Sequence, residues 1–333
     1  MPQNRPRGLR RRAARALRQA AGTLAERPDL SPASYASRLE SGTAKLGLIE
    51  ASLRLSYDLL SGELAGRWRT LSFFPSSFDA PAAAAVWELE PEPADTALGE
   101  LVRRSLVDGD DGRYRLHDLA RDFADSHCSE EERTGAQHRH ADHYRGVLAQ
   151  ADNLYLQGVP ELLRGLQLVD LEWANIRAGQ AWAAGHAAGD QASAELAWRY
   201  PHTGFDCLFL RLRPPEFIGW LEPALQAARQ LGRRDWEGIA FCNLGLAYAD
   251  LGETRRAIEL YEQHLAIARE IGDRLGETRA CWNLGLALEE LGELGRAVAL
   301  MQVRVDYLRE IGHPDAEEAA AEVEALRARM GAG

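Results

Sequence analysis

Four histidines crowd one stretch of the chain, His127, His138, His140 and His143, with Cys128 beside the first. Imidazole and thiolate are the groups that hold zinc, and His140 and His143 stand i, i+3, on one face of a predicted helix. Their spacing matches no structural zinc site and no second pair of fixed geometry accompanies them. The stretch therefore reads as a solvated helix, with no metal site assigned. Phosphate chemistry is the next option. A phosphate-cradling loop needs G-x-x-x-x-G-K-[ST]. The only lysine, Lys45, lies in Thr43-Ala44-Lys45-Leu46-Gly47 without the glycines. No Ser/His/Asp or Cys/His arrangement has local support, so no catalytic residue is assigned. What remains is recognition. Asn243 and Asn283 recur in matching contexts, and an asparagine amide offers a peptide backbone both a donor and an acceptor.

Those asparagines belong to an internal repeat, the strongest signal in the chain. Asn243-Leu244-Gly245-Leu246-Ala247 returns 40 residues later as Asn283-Leu284-Gly285-Leu286-Ala287. The same offset relates Leu251-Gly252-Glu253 to Leu291-Gly292-Glu293, and Arg269-Glu270-Ile271-Gly272 to Arg309-Glu310-Ile311-Gly312. Each unit reads as two helices. Leu244, Ala247, Tyr248 and Leu251 mark the first, which Gly252 stops. Ala257, Ile258, Tyr261, Leu265 and Ala268 mark the second, which ends at Gly272. Gly245 and Ala257 are small where neighbouring helices must approach. One such hairpin cannot bury its apolar stripe alone, so the units are expected to stack. A final capping helix is expected over Asp315 to Met330, with Glu317, Glu318, Glu322 and Glu324 facing water.

The pattern N-L-G-L-A-Y…L-G…A-I…Y…L and its copy resembles the tetratricopeptide (TPR) family, in its 40-residue form, over roughly Trp220 to Met330. The resemblance implies an α-α superhelix whose concave groove, lined by the first helix of each pair, binds an extended or helical peptide. It places Asn243, Leu246, Asp250, Arg279, Trp282, Asn283, Leu286 and Glu290 in that groove, with the asparagines bonding the peptide backbone. The alternative is that each asparagine satisfies a helix terminus within the array. His264 and Arg304 depart from the family, standing where it usually has alanine.

Upstream, amphipathic helices are predicted at Leu48–Leu60, Glu63–Phe73, Ala80–Trp87 and Thr96–Leu106, with an aromatic turn at Phe73 to Phe78. Leu106-Val107, a turn over Asp108 to Gly112, and Tyr114-Arg115-Leu116 read as a short β-hairpin. His117 to Ala124 returns to helix. The run L-R-L-S-Y-D-L-L…L-S-F-F-P…L-V-R-R-S-L-V…Y-R-L-H-D-L-A-R-D-F-A resembles the winged-helix segment of NB-ARC/STAND-type signal-transduction ATPases of bacteria. Leu116-His117-Asp118 is its most specific part. The resemblance implies that His117 touches the β-phosphate of ADP, here only with a nucleotide-binding domain supplied in trans, and that Asp118 holds the loop. Leu171 to Arg177 resembles the helical connector leading into sensor repeats. ADP or ATP is thus a family-level cofactor. None is expected in this chain alone, nor is ATP hydrolysis, since the nucleotide-hydrolysing half is missing from it.

The expected organisation is mainly α: a helical remnant of a preceding ATPase subdomain over 1–47, a winged-helix domain over 48–128, a helical connector over 129–219 and a TPR array over 220–333. A net charge of −11 with 46% apolar residues and a pI near 5.4 argues against a general nucleic-acid binder. Seven arginines between Arg5 and Arg18 are the local exception. They read either as a basic arm for nucleic acid or anionic membrane or, preferably, as an ordinary helix face or frayed terminus. Direct DNA binding through the winged helix is the runner-up function, set against Asp108, Asp110 and Asp111, which would repel phosphate. An ADP/ATP-binding switch completed by another chain is the third. Four scattered cysteines suggest reduced thiols, no apolar run approaches the about 18 residues of a membrane span, and the cytoplasm is the expected location. The favoured partner is a protein or peptide ligand in the groove, with an ATPase domain or a second copy of the chain as further candidates.

Overall fold

The computed structural model describes residues 31–37 and 48–331. The amino-terminal arginines, Lys45 and most of the 1–47 segment lie outside the described residues. The chain divides into two compact units. One extends through Gly146 and includes Asp170–Gly179; the other combines Val147–Val169 with Gln180 onward.

In the first unit, α1 (Leu48–Asp58) and α2 (Gly62–Thr70) are followed by a short 3₁₀ turn at Leu71–Phe73. Ser61 caps α2 by accepting the Leu64 N–H. Strand β1 (Phe78–Asp79), α3 (Ala80–Trp87), α4 (Pro91–Arg103), β2 (Asp108–Asp110), β3 (Arg113–Arg115) and α5 (Asp118–Ser126) come next. Asp79 caps α3 by accepting the Ala82 N–H at 2.9 Å. The sheet is antiparallel with β3 in the middle, in the order β1-β3-β2.

Three details differ from the sequence reading. Helix α4 begins at Pro91 rather than near Thr96, because proline at N1 lacks only an N–H that the first turn leaves unpaired anyway. The hairpin is tighter than expected, its first strand starting two residues later and its second one residue earlier. Asp108–Asp110 form a strand, and the turn is Asp111-Gly112, both with positive φ, the backbone a tight hairpin demands. Leu106 and Val107, taken for strand, are instead core residues. Strand β1 was hidden in what read as an aromatic turn.

Trp68 anchors this unit. It is fully buried, and its indole N–H donates to the Leu106 carbonyl at 3.2 Å. Phe74 stacks on Phe78 with ring centres 4.1 Å apart. His140 and Tyr144 of α6 (Glu130–Tyr155) close over Phe74. Helix α6 continues from the first unit into the second, whereas α7 (Glu161–His186) begins and ends in the second and lends only Asp170–Gly179 to the first.

The second unit continues with α8 (Gln191–Thr203), α9 (Phe205–Arg211), α10 (Pro214–Gln230), α11 (Arg234–Asp250), α12 (Thr254–Ile271), α13 (Arg274–Glu290), α14 (Leu294–Glu310) and α15 (Ala316–Gly331). Gly232, Gly252, Gly272, Gly292 and Gly312 lie 20 residues apart, all in the left-handed region. At each, the following residue's N–H bonds back five residues, as Glu253 does to the Tyr248 carbonyl at 2.9 Å. This is the Schellman closure, which satisfies carbonyls the helix end leaves open. Ion pairs repeat with the helices. Arg229–Glu237, Arg269–Glu277 and Arg309–Glu317 recur at 40-residue intervals, as do Arg234–Glu270 and Arg274–Glu310.

The apolar stripes behave as the repeat requires. Ala257, Tyr261, Leu265 and Ala268 are buried, as are Leu244, Ala247 and Tyr248. Leu251 is not. It is the C-cap of α11 and 40% exposed, because the chain is already turning toward Gly252. Met301, Val305 and Leu308 of α14 pack with Ala316, Ala319, Val323 and Leu326 of α15. The four glutamates expected to face water on α15 do so.

Candidate peptide-binding face

Helices α11 and α13 are the first helices of the two repeat units, and residues at i, i+4, i+7 and i+11 along each share a face. On α11 these are Ile239, Asn243, Leu246 and Asp250; on α13 they are Arg279, Asn283, Leu286 and Glu290. Ile239 is 38% and Leu286 40% exposed; Asp250, Arg279 and Glu290 are also exposed. Asn243, Leu246, Trp282 and Asn283 are half-buried. Ile239 was absent from the sequence-level set, although its place 40 residues before Arg279 was the signal that would have found it.

The two asparagines differ. Asn283 donates its side-chain N–H to the Cys242 sulfur at 3.6 Å. Asn243 makes no side-chain hydrogen bond with another described residue. Cys242 is buried, and burial pushes its thiol up to about 11 despite Arg279 and Asn283 beside it. It is an inert packing group.

His264 and Arg304, the two departures from the repeat pattern, are accommodated differently. His264 is buried, and a Cβ added to Gly238 of α11 would lie 3.5 Å from its ring. That is ordinary contact for the imidazole; the tighter neighbour of such a Cβ is Ile267, at 3.2 Å. Burial, then the positive charge of Arg279, lowers the His264 pKa to about 4, so the ring is neutral at pH 7. Forty residues on, Gly238 becomes Thr278, and Arg304 stacks its guanidinium 5.5 Å from the Trp282 ring centre instead.

A separate hollow of about 1010 Å³ is lined by α12 residues such as Arg255, Glu259 and Gln263, together with Gly252 and Leu291. None of the residues assigned to the groove from sequence lines it.

Residues 206–270 match the tetratricopeptide repeat family. The match starts earlier than the sequence repeat suggested. Forty residues before α11 lies the stretch shared by α8 and α9, broken at Thr203-Gly204, and Cys207, Ala247 and Ala287 are buried at equivalent places in it and its copies. Among solved structures, the chain is similar to a signal transduction ATPase with numerous domains (STAND) protein with a tetratricopeptide repeat sensor from Pyrococcus horikoshii. The identity is 14%, the TM-score 0.36, and 90% of this chain and 61% of that one are covered. It is also similar to BtubC from P. vanneervenii, at 15% identity and TM-score 0.35, covering 59% of this chain and 92% of that one. Likeness at this level does not establish a shared fold. The chain thus spans about 61% of the STAND protein's length. No curated protein matches.

The first unit holds the other candidate residues. His117 is exposed at the N-cap of α5, and its side chain makes no capping bond. It is not a core histidine. Asp118 accepts from Arg121 at 3.2 Å and lies 4.0 Å from Arg115, tying the end of β3 to the first turn of α5. Arg104, the C-cap of α4, is buried and paired to Glu100 at 2.9 Å. Of the four crowded histidines, His140 is buried with its pKa driven down to about 3 by burial and by His143, and His127 stacks on Phe123 at 4.1 Å. Among the described residues no three His, Cys, Asp or Glu side chains converge as a metal site would require.

Sequence reasoning missed one polar cluster. Arg113 of β3 forms an ion pair with the buried Glu172 of α7 and donates to the Ser77 carbonyl at 2.8 Å. Asn175, also buried, donates to that same carbonyl at 2.9 Å and to Glu172 at 3.0 Å. Residues 59 positions apart in the chain gave no local signal of this pairing. Glu172 and Asn175 lie within the connector resemblance, but that resemblance named no partner for them.

Proposed function

We propose that this chain is a regulatory interaction protein whose α11/α13 face holds a peptide or protein ligand. The ligand's binding is passed to the helix-and-hairpin module of a STAND-type switch. The observation that carries the reading is Leu286, exposed at 40% on a packed helix, with the unbonded Asn243 amide on the same face. An apolar side chain left in water beside an open backbone-binding amide suits an extended ligand. The repeat-family match over 206–270 supports a protein partner.

The signalling half draws on residues 48–128. The order α2-β1-α3-α4-β2-β3, with β3 central, supports the winged-helix reading, and Leu116-His117-Asp118 carries the STAND resemblance. The exposure of His117 supports contact with a nucleotide domain supplied in trans. Asp108, Asp110 and Asp111 are exposed on the hairpin, a charge that disfavours DNA at that edge.

Affinity capture tests the reading. The intact chain is compared with an Asn243→Ala/Asn283→Ala variant and, because Asn283 also bonds Cys242, with Leu286→Asp. Partners lost from both variants identify the ligand. A partner list unchanged in both removes the α11/α13 face from the account.

A further inference from the structure

The α11/α13 face is electrically polar from end to end. Across the two helices its four levels read Ile239 and Arg279, then Asn243 and Asn283, then Leu246 and Leu286, then Asp250 and Glu290. Arg279 to Glu290 spans eleven residues, about 16 Å of helix. One end carries a cation, the middle is amide and hydrocarbon, and the far end carries two carboxylates.

The cation stands open in a region where arginines are otherwise matched. Arg234, Arg269, Arg274, Arg296, Arg309, Arg327 and Arg329 all pair with carboxylates, while Arg256 and Arg304 lie over aromatic rings. Among the described residues of α11–α15, Arg279 and Arg255 are the arginines with no such partner, and Arg255 lies away from this face, in the α12 hollow. Asp250 and Glu290 likewise pair with no described cation. Glu290 accepts only the Thr254 hydroxyl, at 2.9 Å, which leaves its charge in place. Neutral His264 adds no second positive charge beside Arg279.

We propose that the ligand of this face is an extended peptide segment carrying an acidic side chain, an apolar one and a basic one at alternate positions. The acid lies on Arg279, the apolar group between Leu246 and Leu286, and the base on Asp250 and Glu290. The asparagine level specifies the extended form, since a helix has already spent its backbone groups internally. Alternate side chains of an extended chain share one side, about 3.3 Å per residue. Four residues therefore cover about 13 Å, and the reach of a lysine or arginine covers the remainder. An all-acidic ligand would be repelled at Asp250 and Glu290, and an all-basic one at Arg279. This inference rests on the peptide-binding reading and specifies the ligand's chemistry.

The test is selection of a displayed library of random 12-residue peptides on the immobilised full chain at low salt, followed by fluorescence anisotropy on the enriched sequences. The expected outcome is enrichment of acid–x–apolar–x–base patterns, in either chain direction. Arg279→Glu should weaken such peptides about tenfold and abolish the preference for the acid. Asp250→Lys/Glu290→Lys should abolish the preference for the base. All substituted positions are exposed, and circular dichroism checks that both variants keep their helix content. Enriched peptides without charge preference, or preferences unchanged in the variants, overturn the inference and leave the peptide-binding reading standing. If no sequence is enriched over a Leu286→Asp control, the reading and the inference fall together.

Discussion

The ring of Tyr261 on α12 lies against Gly245 of α11, so close that a Cβ there would stand 2.6 Å from Cδ1. Forty residues on, Met301 lies against Gly285 in the same way, 3.1 Å from Sδ and nearer still to Cγ. The contact lets the two helices of a unit share one buried surface, and the residue that fills it changes from aromatic to thioether.

Gly245→Ala is therefore expected to cost more stability than Gly285→Ala. In both, the better helix propensity of alanine contributes up to about 1 kcal/mol in the opposite direction. A buried tyrosine ring cannot bend away, and overpacking of this kind costs about 1–3 kcal/mol. A methionine can rotate, although the Ala297 carbonyl 3.2 Å from the added Cβ limits its relief. Urea midpoints of the two variants check the order. Equal midpoints would show that the Tyr261 contact yields as readily as the methionine one.

Glu172→Ala should destabilise the first unit by about 2 kcal/mol. Removing one partner of a buried ion pair strands the other, although Arg113 keeps the Ser77 carbonyl and some access to water, which lowers the expected loss. Phe74 and Phe78 stack in the same unit, and near-ultraviolet circular dichroism during melting reads their order. A melt identical to that of the intact chain would show that the pair adds nothing net.

How far these contacts were legible in the sequence depends on what kind they are. The repeat was legible because glycines at Gly252, Gly272, Gly292 and Gly312 are demanded by the backbone itself, and Gly245 was identified as a close approach before Tyr261 was known to fill it. The α4 start is hard to place from sequence because prolines such as Pro91 and Pro93 disfavour a helix interior, although Pro91 sits at N1. The turn reads too wide in the sequence because aspartates at Asp108 and Asp110 weigh against strand, whereas only Asp111-Gly112 meets the turn's dihedral requirement. The face residues could be written down from the offset alone. That Asn283 turns to Cys242 while Asn243 does not depends on packing, and no pattern reports it. The Arg113–Glu172–Asn175 cluster joins segments with no periodic relation, so it became visible only in three dimensions.

Acid should destabilise the repeat unit well before its carboxylates titrate. The His264 and His202 pKa values are both lowered to about 4, chiefly by burial. A histidine whose folded pKa is depressed takes its proton more readily in the unfolded chain. Stability is therefore full above about 6.5, the unfolded value, and falls as pH drops toward 4. Each such histidine contributes a slope of up to about 1.4 kcal/mol per pH unit in that window. His264→Ala should flatten the dependence between pH 6.5 and 4.5, measured by urea denaturation at each pH. A slope unchanged by the substitution would mean that His264 binds protons equally in both states.

The α11/α13 face itself is tested most directly by site-specific photocrosslinking. A photoreactive residue is placed at Leu246 or Leu286 on the face, or at Glu259 on the α12 hollow, in the full chain expressed with its natural partners. The account predicts a discrete crosslinked polypeptide from positions 246 and 286 and none from 259. Crosslinks from 259 alone, or the same product from all three positions, would contradict it.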